Sequence, residues 1–288
     1  MIHFIFRKSF WAQIFKVNQS ECAESRYDVF LCNKDMKKIS SFFLLTFVLL
    51  IPVIGMGKKV KPRKVLFVLT SHDKLGNSNQ KTGYYLSEVS HPWSILVDSD
   101  IEVDFVSPKG GLPPVDGFDL TDSLNRRFWE NKYYQDKLLK TLSPQEVDSD
   151  EYIAIHYAGG HGTMWDFPDN QELADIAAKI YEKGGVISAV CHGPAGLINI
   201  RLSDGTYLLQ DLKVCSFTNE EEKLVDLDEV VPFLLESQMR KRGAFFKHGK
   251  PWQEFAVEDK RVITGQNPQS ALKVGRLLLK AINEISQE

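Results

Sequence analysis

At 288 residues and a formal net charge of −3, the chain is long enough for one large α/β domain or two small ones, and 43% hydrophobic with 25% charged residues is a globular composition. No basic stripe interleaved with aromatic residues runs through it, which argues against a nucleic-acid surface. The four cysteines, Cys22, Cys32, Cys191 and Cys215, lack the paired spacing of a disulfide framework or a zinc cluster.

Residues 1–35 show no clear period and are expected to be a poorly ordered upstream extension, because Met36-Lys37-Lys38 resembles the start of an export signal. No charged residue occurs in 39–57, and Lys58, Lys59, Lys61, Arg63 and Lys64 follow. Residues 36–57 therefore read as a signal peptide, or as an uncleaved membrane anchor, since the run is long enough to span a bilayer. The expected location is outside the cytoplasm or at the membrane through one N-terminal helix, and the cytoplasm if the segment is not a working signal.

Residues 58–288 read as one domain. Residues 64–70 are apolar on both faces of a strand, as in a parallel sheet covered by helices. A polar loop (71–82) leads to Gly83-Tyr-Tyr-Leu-Ser-Glu88, and a helical pattern follows around 92–98. A second strand is expected at 101–107, a single helix at 124–142 and a third strand at 152–158, closed by Gly159-Gly160. Asp169 is expected to cap an amphipathic helix with Leu173, Ile176, Ala177 and Ile180 on one face, stopped by Gly184-Gly185. Further strands are expected at 186–190, 213–218 and 262–264, with a helix from Pro194 and a last helix opened by Asn267-Pro268. Strands alternating with helices predict an α/β fold: a doubly wound, mostly parallel sheet with helices on both faces.

The apolar run 186–190 stops at Cys191, where His192-Gly193-Pro194 opens the next element. A strand-to-helix elbow presents a nucleophile at the carboxyl edge of the sheet, and helix N–H groups there would favour a thiolate. Ligands of such sheets bind beyond the carboxyl ends of the strands, so the Cys191 elbow, the Gly159-Gly160-His161 turn and Glu88 are expected to converge. Backbone N–H groups of the Gly-Gly turn and of His192 are candidate oxyanion donors. His156 and His161 are the one close histidine pair, without the cysteine or carboxylate company of a zinc site, and no metal is expected. On residue type alone, Glu220, Glu221 and Glu222 read as a solvated helix start and Glu88 as a surface acid.

Ala189-Val-Cys-His-Gly-Pro194, Ala158-Gly-Gly-His-Gly-Thr163 with Trp165-Asp166, and Thr82-Gly-Tyr-Tyr-Leu-Ser-Glu88 resemble the ThiJ/PfpI superfamily. Within it they are similar to the heat-shock chaperones that are glutathione-independent glyoxalases (glyoxalase III, D-lactate dehydratase). Val106-Ser-Pro-Lys-Gly-Gly111, Phe217-Thr-Asn-Glu-Glu-Glu222 and Gly265-Gln-Asn-Pro268 fit the same branch, so the likeness spans the chain from about residue 64 onward. The resemblance implies a flavodoxin-like, class I glutamine amidotransferase-like fold. It makes Cys191 the nucleophile, His192 its base, Glu222 the acid that orients the imidazole and Glu88 a buried, protonated acid against the cysteine. His161, Trp165 and His91 become candidate pocket residues beside Gly159 and Gly160.

The implied reaction converts methylglyoxal or another small 2-oxoaldehyde to D-lactate or its analogue, with no metal, glutathione or nucleotide cofactor. A homodimer and membrane anchoring by residues 39–57 are compatible with this reading, and a nucleic-acid partner is not expected. A cysteine peptidase, amidase or deglycase could use the same elbow, and a holdase chaperone or redox sensor would need no turnover. Glutamine amidotransfer is excluded, because His248 is the sole later histidine and is followed by Gly249-Lys250 rather than x-Glu.

Overall fold

A computed structural model describes residues 63–287. The strands in chain order are β1 (Lys64–Val68), β2 (Tyr84–Tyr85), β3 (Glu102–Val106), β4 (Val115–Asp116), β5 (Tyr152–Tyr157), β6 (Val186–Val190), β7 (Lys213–Val214), β8 (Phe245–Phe246), β9 (Ala256–Asp259) and β10 (Val262–Gly265). The helices are α1 (Leu86–Val97), α2 (Ser123–Trp129), α3 (Lys132–Leu138), α4 (Thr163–Asp166), α5 (Gln171–Glu182), α6 (Asn219–Leu224), α7 (Leu235–Lys241) and α8 (Ala271–Ile285).

Six strands form the main sheet in the order β3-β1-β5-β6-β10-β9, parallel except for β9 at one edge. The order runs outward in both directions from β1 and β5, which is the doubly wound arrangement the sequence predicts. The strand faces explain why these segments read as unbroken apolar runs. Val65, Phe67 and Leu69 of the first strand segment join one core with α1 and α8, while Leu66 and Val68 join the opposite core with α5.

Several boundaries differ from the sequence expectation. The first helix begins at Leu86 rather than near Pro92, because Tyr84 and Tyr85 pair with β4 and deliver the chain directly into the helix. Glu88 thereby lies in its first turn, and Pro92 is accommodated inside it. The helix expected at 124–142 is two, because Asn131 accepts a hydrogen bond from Tyr134 N and caps a second start. Asn170 rather than Asp169 caps α5, accepting from Leu173 N. The segment 213–218 is a strand only at Lys213–Val214, and it pairs with β8 in a separate sheet rather than entering the main one. After the elbow there is a five-residue 3-10 turn, Gly193–Leu197, in place of an α-helix.

Residues 36–57, read as a signal peptide or anchor, lie outside the described residues. Among the described residues no helix is long and apolar enough to cross a membrane.

Candidate active site

The carboxyl ends of β1, β5 and β6 meet at the point where the strand order reverses. The strand β6 ends at Val190, and Cys191 follows with φ +60°, a left-handed conformation uncommon for a side-chain-bearing residue. Its N–H donates to Gly265 O at 2.9 Å and its carbonyl accepts from Phe217 N at 2.8 Å, so neighbouring backbone holds the strained residue on both sides. Cys191 as a whole is 4% exposed.

Cys191 Sγ lies 3.3 Å from His192 Nδ1, and His192 Nε2 lies 2.8 Å from Glu222 Oε2. This is the nucleophile, base and orienting-acid order of a catalytic triad. The second oxygen of the same carboxylate, Glu222 Oε1, pairs with His161 Nε2 at 3.0 Å. One carboxylate thus serves two imidazoles, whose rings tilt by 41° at 4.1 Å between centroids. Burial would raise the Glu222 carboxyl, but the His192 and His161 imidazoles outweigh it and bring it down to about 2. Burial lowers the pKa of His192, and the His161 charge pushes the same way, against the pull of Glu222.

The three adjacent glutamates have different places. Glu220 faces solvent. Glu221 is buried and wholly engaged in structure: Oε2 accepts from Thr218 N and Oγ1 in a capping box, and Oε1 accepts from Trp252 N at 3.0 Å and Asn267 Nδ2 at 2.9 Å. That clamp fixes α6, leaving Glu222, one residue later, aimed at His192 and His161.

Glu88 enters from α1 and is fully buried. Its Oε2 accepts from Gly159 N at 2.8 Å, while Oε1 finds no N–H or O–H partner among the described residues. The Cys191 thiol lies against the same carboxyl. Burial raises the Glu88 carboxyl to about 8, against the lowering effect of the hydrogen bonds from Cys191 and Gly159. Burial likewise raises the Cys191 thiol well above its usual range, and the adjacent Glu88 adds to the effect through its charge and hydrogen bond. The expected helix-assisted thiolate is therefore corrected: a short 3-10 turn follows the elbow in place of an α-helix, and burial disfavours a charge on the sulfur.

The Gly-Gly turn is shaped by its neighbours. A Cβ on Gly159 would stand 2.5 Å from Glu88 Oε2 and 2.8 Å from His192 N. Gly160 has φ +98°, and a Cβ there would meet Gly83 O at 2.2 Å. As Gly159 N–H is engaged by Glu88, the turn's candidate oxyanion donor is narrowed to Gly160 N–H, which lies near enough to the Cys191 sulfur to pull its pKa down against burial.

The other expected pocket residues have contacts of their own. Trp165 stacks on His72 at 5.1 Å and 7°, and no described contact joins it to Cys191 or His192. His91 pairs with Asp122, the residue that caps α2. His156 is a buried core residue held by Ser188 Oγ and the Glu88 carbonyl, and burial lowers its pKa to about 4. Phe217, which sequence reasoning used only as part of a motif, packs its ring 4.4 Å from His192, and Trp252 (φ +59°, 40% exposed) packs 5.5 Å from Phe217. Asp166 is the other unanticipated residue: it accepts from Thr70 Oγ1 and Ser71 N, and burial raises its carboxyl to about 6. An acid after Gly-Gly-His-Gly-Thr-x-Trp carries no periodic signal that would mark it as buried.

Comparison with known proteins shows that residues 81–281 match the model of the DJ-1/PfpI family. The chain belongs to the DJ-1/PfpI family. Among DJ-1/PfpI relatives, the glutathione-independent glyoxalase HSP31 of Saccharomyces cerevisiae is 35% identical over 228 residues, covering 73% of this chain and 94% of the relative. The structure of Francisella tularensis Rapid Encystment Protein 24 kDa is 41% identical with a TM-score of 0.74, covering 76% of this chain and 99% of that one. The structure of glyoxalase III from Candida albicans is 29% identical with a TM-score of 0.71, covering 76% of this chain and 97% of its own.

Proposed function

We propose that this chain is a glutathione-independent glyoxalase that converts methylglyoxal, or a similarly small 2-oxoaldehyde, to the 2-hydroxy acid, D-lactate in the case of methylglyoxal. The observation that carries the reading is the pairing of the Cys191–His192–Glu222 line with a buried carboxyl, Glu88, that stays protonated to about pH 8 against the same sulfur. Similarity to proteins named glutathione-independent glyoxalase and glyoxalase III supports it.

In this mechanism His192 Nδ1 takes the thiol proton, and the sulfur bonds to the aldehyde carbon C1. The resulting oxyanion on C1 receives the N–H of Gly160 and then the proton of Glu88. As a carboxylate, Glu88 removes the hydrogen from C1 while the His192 imidazolium protonates the oxygen on C2, forming an enediol. Glu88 returns its proton to C2 and takes back the C1 hydroxyl proton, leaving a thioester of the 2-hydroxy acid. Water, activated by His192, then releases the acid and restores the thiol. C1 is oxidised and C2 reduced within one molecule, so the net change is addition of water. Glu222, ionised throughout, keeps the imidazole oriented and stabilises its charged form.

The 4% exposure of Cys191 suits a small aldehyde and disfavours a peptide substrate. Residues 36–57 are proposed to direct export or to anchor the chain, on the strength of their uncharged apolar run behind Lys37 and Lys38. A chaperone role is proposed only as a family trait.

The test is lactate production from methylglyoxal without glutathione, in the wild type and in Cys191→Ala. Wild-type turnover that the substitution abolishes is the expected result. Absence of lactate from the folded wild type, or unchanged turnover in the variant, would overturn the reading.

A further inference from the structure

We propose that His161, His192 and Glu222 form an inhibitory binding site for a borderline divalent cation, Zn2+ being the reference ion. The three donor atoms lie within 4.8 Å of one another. Two imidazoles and one carboxylate are a donor set zinc takes in three-ligand sites that leave the fourth position to water. Imidazole also suits copper and nickel, so selectivity would rest on geometry and availability.

The ligands come from three separate segments that are already fixed. His161 sits on the turn after β5, His192 on the elbow after β6, and Glu222 on a helix whose start is clamped by Thr218 and Glu221. The imidazoles address different oxygens of one carboxylate, at 3.0 and 2.8 Å. An ion with arms of 2.0–2.1 Å needs ligand atoms about 3.3 Å apart, so the two histidine–glutamate contacts have to open slightly while donors up to 4.8 Å apart close in. His192 is fully buried, whereas the His161 side chain is 19% exposed, so the route in passes His161.

The consequence for chemistry follows from the ring. An ion at His192 Nε2 displaces the hydrogen from that nitrogen, and a neutral imidazole must then carry it on Nδ1, which faces Cys191 Sγ at 3.3 Å. With Nδ1 a donor, His192 no longer accepts the thiol proton. Cys191 lies across the imidazole from the ion and is not a ligand. This consequence rests on the proposed glyoxalase reading, but the binding itself does not.

The experiment is equilibrium dialysis of the full chain against Zn2+ followed by metal analysis, with Co2+ absorption as a second readout. Wild type and Cys191→Ala should each hold one equivalent more than His161→Gln or Glu222→Gln, whose affinity should fall at least about tenfold. Co2+ spectra of this equivalent should lack a thiolate charge-transfer band. Loss of the equivalent in Cys191→Ala, its persistence in both His161→Gln and Glu222→Gln while they remain folded by circular dichroism, or a thiolate band would overturn the proposal. Zinc should also inhibit lactate formation over the same concentration range. Binding in a protein that makes no lactate would refute the glyoxalase reading and leave the metal site standing.

Discussion

In Glu88→Gln a neutral amide replaces a carboxyl that burial keeps protonated to about pH 8. The amide oxygen still accepts from Gly159 N, and its NH2 can face the sulfur as the carboxyl proton does, so the local geometry is retained. Unfolding lets the native glutamate ionise near its ordinary 4.5. Between these two pH values the folded chain holds a proton that the unfolded chain has released, so the contribution of Glu88 to stability is fully present below 4.5 and is lost as pH rises toward 8. The slope is about 1.4 kcal/mol per pH unit, and the accumulated loss is on the order of 4–5 kcal/mol by pH 8. Glutamine has no such proton to hold. Urea unfolding of both proteins at pH 4.5, 6 and 8 should therefore show Glu88→Gln gaining on the wild type by that amount across the window. Lactate formation should move the opposite way, falling about 10²–10⁴-fold with loss of the proton shuttle. Parallel stability profiles would mean that Glu88 is ionised in the folded protein, which would refute both the burial argument and the assigned proton donor.

Gly159→Ala places a methyl group 2.5 Å from Glu88 Oε2, and should cut turnover at least about 100-fold with a measurable drop in Tm, whereas wild-type Tm would show that the turn can yield. The three glutamates should separate by assay. Glu220→Gln should leave turnover and Tm near wild type, Glu221→Gln should lower stability by about 1–3 kcal/mol in urea unfolding, and Glu222→Gln should lower kcat more than stability. Turnover lost in Glu220→Gln and kept in Glu222→Gln would refute the assignment. Iodoacetamide on the native protein, followed by peptide mass mapping, should label Cys191 before Cys215, because the Cys215 thiol is fully buried against Thr264 O; equal labelling would show that the core opens.

Local sequence determined much of the scaffold. The apolar runs at β1, β5 and β6 are long enough, and flanked closely enough by glycine and polar residues, to form buried parallel strands whatever lies beyond them. The same local signals located the elbow and the Gly-Gly turn, since an abrupt end to a β-branched run before His-Gly-Pro is a property of adjacent residues. The break between α2 and α3 is not marked in the local sequence, where 124–142 reads as one helix, and only the capping bond of Asn131 shows that the helix restarts.

Tertiary structure decided the rest. Glu88 and Gly159 meet across 71 residues and His161 and Glu222 across 61, through crossovers that no local pattern records. Which of Glu220, Glu221 and Glu222 reaches the histidines depends on how Glu221 is tied to Trp252 and Asn267. The charge states are likewise a property of the fold. Two glutamates, a cysteine and a histidine have ordinary pKa values in an extended chain, and burial beside one another sets the protons of Glu88, Glu222, Cys191 and His192, because the penalty for a charge depends on the water and countercharges that the folded chain leaves around it.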